Sequence, residues 1–543
     1  MQENLRTTTT EKRRIFMVGC GVVAPGASNL REFLEEVWSQ KAALLPEETL
    51  NGAFLVGKPK FDFANYRNWI CERHTPNKYT QLAEKSGENV QMAIGATIDA
   101  ITQTPGLEKA LKDLDSRVAI CMGSGLGDLN LVFEEGRNWE QALWNWNHFW
   151  AAPQRNAACK AYLNGESNFP EVPQNPEELP VDSRERMNAW AKWDAFWAKE
   201  TPLLKDFVSE FSAIEGAPMG SDVATDKLKL IRAKARACKQ LQEKYACPTP
   251  PWESVSPNLL WNLPNAPAAQ ISMLLGIHGS TWNANGACAT FGLLLNEAIQ
   301  KIHAGQAEVA IIGTVDNTPP PQVVSAFYSA RVLATGQKVG TPLCEMRGTH
   351  VAGGACVWIV ASEETLKKYK LQHLDVEIMG CGVSSDAEHI ITPSLEGPKL
   401  AIRSAIQDAG IDSKTIHSWD LHATGTPGDF SELRLIEEFV PRETVISARK
   451  GIFGHGMGSN GGWELTAQLL GPKHDATKFV IPPSGIPASS VHSTISSLPR
   501  RFALDKPVSV EPSQDGLLCG KLSMGVGGIT SCVIARVTQQ NQN

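Results

Sequence analysis

No apolar run in the 543 residues approaches the roughly 18 that a membrane-spanning helix needs, and the mean hydropathy is only −0.20. Positive charge is not in excess. Lys and Arg number 51 against 58 Asp and Glu, and the net charge of −7 is a poor basis for gripping nucleic-acid phosphates. The twelve cysteines form no CxxC pair, no Cys/His cluster at zinc-ligand spacing and no regular framework. Most, such as Cys121, Cys356 and Cys532, stand singly in apolar stretches where a thiol acts as a small hydrophobe, so a soluble protein of the reducing cytoplasm is expected. A secretory leader is also not expected. Lys12, Arg13 and Arg14 precede four apolar residues before Gly19, short of the roughly 7–15 of a signal-peptide core. The glycine loop GSGLGD at 123–128 lacks the third glycine of GxGxxG, and no ribose-binding acid follows a second strand, which excludes a Rossmann site.

What remains is 42% hydrophobic and 20% charged, ordinary for a folded chain of several units. Short apolar runs (Val118–Gly123, Val309–Thr314, Cys356–Ala361, and the strand–turn–strand pattern from Lys521 to Val537) alternate with amphipathic helices and glycine turns. That pattern predicts an α/β protein with sheets covered on both faces. Residues 135–256 differ in texture. They hold eight of the 15 tryptophans, a proline-rich middle, and two predicted helices. One helix starts near Asp182 with Met187, Trp190, Trp193 and Trp197 on one face. The other runs from Asp222 to Tyr245 with Lys227, Lys229, Arg232, Lys234, Arg236 and Lys239 opposite its apolar face. The tryptophans pack this insertion against the body or cap a hydrophobic substrate; the cations are solvated or dock an acidic partner. Without the insertion, two related halves are expected, 13–369 and 370–543, each with a strand running into a glycine turn and a helix opening on small residues.

Three segments carry chemistry. Gly286-Ala-Cys288-Ala-Thr ends an extended run and opens a long apolar helix, where unsatisfied N–H groups and the helix dipole favour a thiolate. Small neighbours leave room for a substrate, as in a nucleophile elbow. A lone cysteine at a helix start is usually structural, so its company matters. His422-Ala-Thr424-Gly-Thr426-Pro places a histidine at a strand end before a glycine turn. Lys450-Gly-Ile-Phe-Gly-His455-Gly-Met-Gly-Ser-Asn-Gly-Gly places a second histidine and a lysine ahead of another helix.

Taken together, GACAT, HATGTP and KGIFGHGMGSNGG resemble the β-ketoacyl synthase family of the thiolase superfamily. Ile15–Ala43, the run from Ser384 to His389, and the closing Ser523-Met-Gly-Val-Gly-Gly528 add to the likeness. The resemblance implies a thiolase-like duplicated five-layer αβαβα sandwich, here with a mainly helical insertion. It implies decarboxylative condensation of a Cys288-bound acyl group with a malonyl thioester on an acyl carrier protein, with no cofactor and no metal. His422 and His455 match the donors to the thioester oxygen, and Lys450 the lysine that holds the histidine network. The N–H groups of Cys288 and Val526 match the acyl oxyanion hole, and Thr424 and Thr426 the pantetheine contacts. A homodimer, or a heterodimer with a related subunit, is implied as well. The chain departs from the family pattern in places. Val526 stands where a gating Phe is usual, and Thr530 where Asn is usual. Gly354 replaces an acid, which predicts the loss of a carboxylate partner for Lys450. An acyltransferase to oxygen or nitrogen and a non-catalytic synthase subunit remain the alternatives.

Overall fold

The computed structural model describes residues 12–216, 226–390, 394–475 and 477–538. Chain contacts divide it into two compact units, one of residues 1–130 with 260–543, the other of residues 131–259.

In the larger unit, ten strands form two five-stranded halves. The first comprises β1 (Ile15–Val23), β2 (Val118–Gly123), β3 (Thr281–Ala284), β4 (Val309–Asp316) and β5 (Gly354–Ser362). The second comprises β6 (Val376–Ser385), β7 (Ser418–Asp420), β8 (Val445–Ser447), β9 (Leu517–Met524) and β10 (Ile529–Val537). The orders are β3-β2-β4-β5-β1 and β8-β7-β9-β10-β6, with the short strand Arg501–Phe502 beyond β8. Each half is parallel over its first three strands and antiparallel over the rest, so the duplication read from the sequence appears as matched topology. Among the described residues, the two half-sheets are joined edge to edge where Ile15 and Phe16 pair with Ile378 and Glu377.

Strand periodicity sorts side chains into layers. In β5, Cys356, Trp358 and Val360 enter one core, whereas Ala355, Val357, Ile359 and Ala361 enter another. In β10, Val533 and Ala535 share the first of these cores, and Cys532 and Ile534 face a third. The shared core holds the helices α2 (Thr290–His303) and α5 (Asn460–Leu470), through Phe291, Leu294, Leu295, Trp463 and Leu469. The outer cores hold α1 (Glu88–Thr102) on one side, and α3 (Glu396–Ala409) with α4 (Gly428–Glu437) on the other. Helix, sheet, helix pair, sheet and helix make five layers. The architecture is the thiolase-like sandwich.

The smaller unit is helical and has its own core. Trp146 and Trp150 pack with Phe207 and Leu241; Trp193 and Trp197 pack with Cys159 and Ala151. These four tryptophans therefore lie in cores of the unit itself. Met187 leaves the predicted apolar face and is exposed. In the helix Asp226–Tyr245, Lys229, Arg232, Arg236 and Lys239 are exposed at three- and four-residue steps. Lys234 instead turns inward to the Glu215 backbone carbonyl and carboxylate. Residues 222–225 and the Lys227 side chain lie outside the described residues.

Candidate functional site

The four loops that carry the motifs leave the C-terminal ends of parallel strands, where α/β folds gather their ligands. Gly123–Gly127 follows β2, Cys288 follows β3, His422 follows β7, and Lys450 to His455 follows β8. Both central helices open with a short 3-10 turn, Ala287–Ala289 before α2 and Met457–Ser459 before α5. The first residue of each turn is left-handed, Ala287 at φ 50° and Met457 at φ 49°. A non-glycine residue there costs roughly 1–2 kcal/mol. At the first turn the strain is held by Thr290, whose hydroxyl donates to the Ala287 carbonyl at 2.6 Å and accepts the Gly286 N–H at 2.9 Å.

The second turn has glycine where the first has Cys288. A Cβ at Gly458 would come within 2.6 Å of the Gly125 nitrogen and 2.9 Å of an Asp316 oxygen. That space is taken by the buried Asp316 carboxylate, which accepts N–H groups from Gly125, Leu126, Gly127 and Gly458 at 2.7–3.2 Å. One carboxylate at the end of β4 thus ties the glycine loop of the first half to the histidine segment of the second. Burial lifts its pKa to about 6, against the pull of those donors.

Cys288, His422 and His455 are all buried, and one donor atom from each lies within 4.8 Å of the others. The two rings stand at 80° with centroids 5.5 Å apart. They line one cavity of about 150 Å³ with Thr424, Thr426, Val526 and Met524. The Thr424 and Thr426 hydroxyls are 3.0 Å apart. The backbone N–H groups of Val526 and of Cys288 itself favour negative charge on the Cys288 sulfur. Val526 lines the same cavity as the buried thiol and is itself 49% exposed.

The electrostatics correct one expectation. The helix start does not prevail at Cys288: burial pushes the thiol up to about 11, and Lys450 and the two N–H groups offset only part of that. Burial, with Lys450 nearby, also holds His422 well below the usual imidazole range and His455 down to about 3. Both rings are neutral at physiological pH, each with one N–H to donate.

A second expectation also fails. Lys450 keeps a carboxylate partner although Gly354 stands where an acid is usual. Its Nζ lies 2.8 Å from Glu464 on α5 and also donates to the His422 carbonyl. Glu464 reaches Lys521 at 2.7 Å, and Lys521 lies 3.5 Å from Asp420, which Arg449 also contacts. Gly354 has φ 148°, and a Cβ there would meet the Val23 carbonyl oxygen at 2.3 Å and the Trp463 ring at 2.6 Å. No side chain fits at that position. Glu432 on α4 caps the N–H groups of His422 and Ala423 at 2.7 and 2.9 Å, and burial raises its pKa to about 7. Asp429, one turn earlier, accepts from Leu343, Thr424 and Gly425. Sequence reading missed Glu464, Lys521 and Asp316, which carry no local signal. Asp429 and Glu432 were findable as a helix-start pair beside His422.

Comparison with known proteins bears on this geometry directly. The β-ketoacyl synthase N-terminal domain profile matches residues 213–365, and the C-terminal domain profile matches residues 376–483. Over those residues the chain carries the two domains of a β-ketoacyl synthase. Among curated relatives, 3-oxoacyl-[acyl-carrier-protein] synthase 2 of Staphylococcus aureus is 30% identical over 221 residues, 39% of this chain and 55% of that protein. Nodulation protein E of Rhizobium sp. (strain N33) is 28% identical over 228 residues, 41% of this chain and 55% of the relative. The chain thus aligns with about half the length of these relatives. Two solved structures share the β-ketoacyl synthase fold across 97% of this chain and the whole of the other. The ishigamide ketosynthase/chain length factor matches at 16% identity and TM-score 0.64, and a beta-ketoacyl synthase from Burkholderia phymatum STM815 at 15% and 0.61.

Proposed function

We propose that the protein condenses an acyl group held on Cys288 with a malonyl unit delivered by an acyl carrier protein, in fatty-acid-like or polyketide biosynthesis. The observation that carries this reading is the convergence of one thiol and two neutral imidazoles on one cavity, with the Val526 and Cys288 N–H groups on the thiol. In the first step the Cys288 sulfur attacks the acyl thioester. The bond from carbonyl carbon to carrier sulfur breaks as the new C–S bond forms, and the thiol proton leaves with the carrier. The two backbone N–H groups hold the oxyanion. In the second step the malonyl unit loses CO2, and its thioester oxygen becomes enolate. The neutral N–H donors of His422 and His455 stabilise that charge, and the enolate carbon attacks the acyl-cysteine carbonyl; the C–C bond forms as the C–S bond to Cys288 breaks, and the released thiolate takes a proton from water. Lys450 acts through the His422 carbonyl and Glu464 as a positioning residue. Thr424 and Thr426 face the same cavity at hydrogen-bond reach of a pantetheine arm.

The carrier partnership is supported by the likeness to a type II polyketide synthase ketosynthase solved in complex with its acyl-carrier protein, at 15% identity and TM-score 0.58. We place the protein in the cytoplasm because all twelve cysteines are unpaired, and no helix among the described residues is long and apolar enough to cross a membrane. A dimer is favoured by β3, which ends the sheet with its outer edge unpaired and alternates exposed with half-buried residues. Intact-mass spectrometry after incubation with acyl-carrier thioesters of varied length tests the reading. One acyl increment on Cys288, lost on adding malonyl carrier with release of CO2, is expected. Acylation without malonyl decarboxylation would point to transfer to oxygen or nitrogen; no acylation at all would point to a non-catalytic subunit.

A further inference from the structure

We propose that Cys288, His422 and His455 also form a site for a thiophilic divalent cation, Zn2+ above all, which reversibly silences the nucleophile. The three residues have no metal-ligand spacing in the sequence; the fold alone brings their donor atoms within 4.8 Å of one another. A tetrahedral zinc with about 2.3 Å to sulfur and about 2.0 Å to nitrogen sets its donors roughly 3.5 Å apart. Closing from the observed spacing takes about 1 Å, which small rotations of one thiol and two rings supply. The Nδ1 atom of each ring is buried and has no hydrogen-bond partner among the described residues. One thiolate and two imidazoles are a borderline-soft donor set that selects zinc over magnesium or calcium. Three protein ligands leave the fourth position to the cavity, as in open zinc sites. Behind the rings, the buried ammonium groups of Lys450 and Lys521 are each paired with the Glu464 carboxylate, at 2.8 and 2.7 Å, so neither stands uncompensated beside the site.

On binding, the Zn–S bond forms as the thiol proton passes to solvent, two ring lone pairs complete the set, and no electron is transferred. A sulfur committed to zinc no longer attacks a thioester. The site shares its residues with the proposed condensation, but its readout is metal rather than turnover. A chain that condenses acyl groups and binds no metal refutes this inference alone; a chain that binds metal and never acylates refutes the condensation alone.

The test titrates Co2+ into the metal-free full-length protein. A thiolate-to-cobalt charge-transfer band saturating at one equivalent is expected, displaced by Zn2+. With Zn2+ bound, iodoacetamide labelling of Cys288 should be lost, and EDTA should restore it. Protein already alkylated at Cys288, with its fold checked by circular dichroism, should show no band, as should His455→Ala. His148→Ala, in the other unit, should keep it. Absence of the band in the native chain, a band that survives alkylation of Cys288, or Cys288 labelling unchanged under saturating Zn2+ would overturn the proposal.

Discussion

The carboxylate of Glu464 stands 2.8 Å from Lys450 Nζ, with both side chains buried. Its other oxygen lies 2.7 Å from Lys521 Nζ, so one carboxylate compensates two ammonium groups away from water. Because Lys450 also donates to the His422 carbonyl, the backbone beneath one ring depends on a charge pair anchored on α5. Glu464→Gln leaves two buried cations short of a partner and should cost about 3–5 kcal/mol of stability. Chemical denaturation measures it, and a loss under about 1 kcal/mol would mean the cations find compensation elsewhere.

An acyl thioester should label Cys288 alone among the twelve cysteines. Since burial pushes its thiol to about 11, only a small thiolate fraction exists at neutral pH. That fraction grows with rising pH, so the iodoacetamide rate at Cys288 should climb about tenfold per unit between about pH 6 and 9. Peptide mapping at each pH reads this out. A plateau below about pH 8 would mean that the helix start outweighs burial after all.

His422→Ala and His455→Ala should spare acyl loading and slow malonyl decarboxylation by roughly 100- to 1,000-fold, the usual loss for one oxyanion donor. The His455 ring, with its pKa held down to about 3, should stay neutral through pH 5, so neither variant removes an acid limb above that pH. Single-turnover acylation compared with CO2 release separates the steps. Equal loss of both would assign the rings to thiol activation instead.

Val526→Phe should place a ring over the cavity mouth without touching the backbone N–H that reaches the sulfur. Val526 is half exposed, so stability should change by no more than about 0.5 kcal/mol. Cys288 alkylation by a bulky reagent should slow several-fold. An unchanged rate would show that position 526 does not control access.

Reversing Lys229, Arg232, Arg236 and Lys239 to Glu tests the exposed stripe of the helix Asp226–Tyr245. If the stripe docks an acidic carrier, carrier affinity and its salt dependence both fall, while turnover of a small thioester mimic holds. If neither substrate responds, the stripe is only a solvated face.

Local pattern made much of this molecule readable in advance. The apolar run of β5, the helix openings after Cys288 and Gly458, and the Cys288, His422 and His455 motifs depend on neighbours a few residues away, and those neighbours are in the sequence. The matched halves were readable for the same reason, since each repeats a strand, a turn and a helix opening on small residues. Other features depend on what packs against what. Whether Cys288 is thiol or thiolate is a contest between burial and a few N–H groups, and burial is a property of five assembled layers. Lys450 finds Glu464 because α5 turns that carboxylate inward, while Gly354 stays bare because Val23 and Trp463 fill its space. Trp146, Trp150, Trp193 and Trp197 are apolar enough to announce burial but not against what, because hydrophobic attraction has no direction and only the packed helices choose the partner.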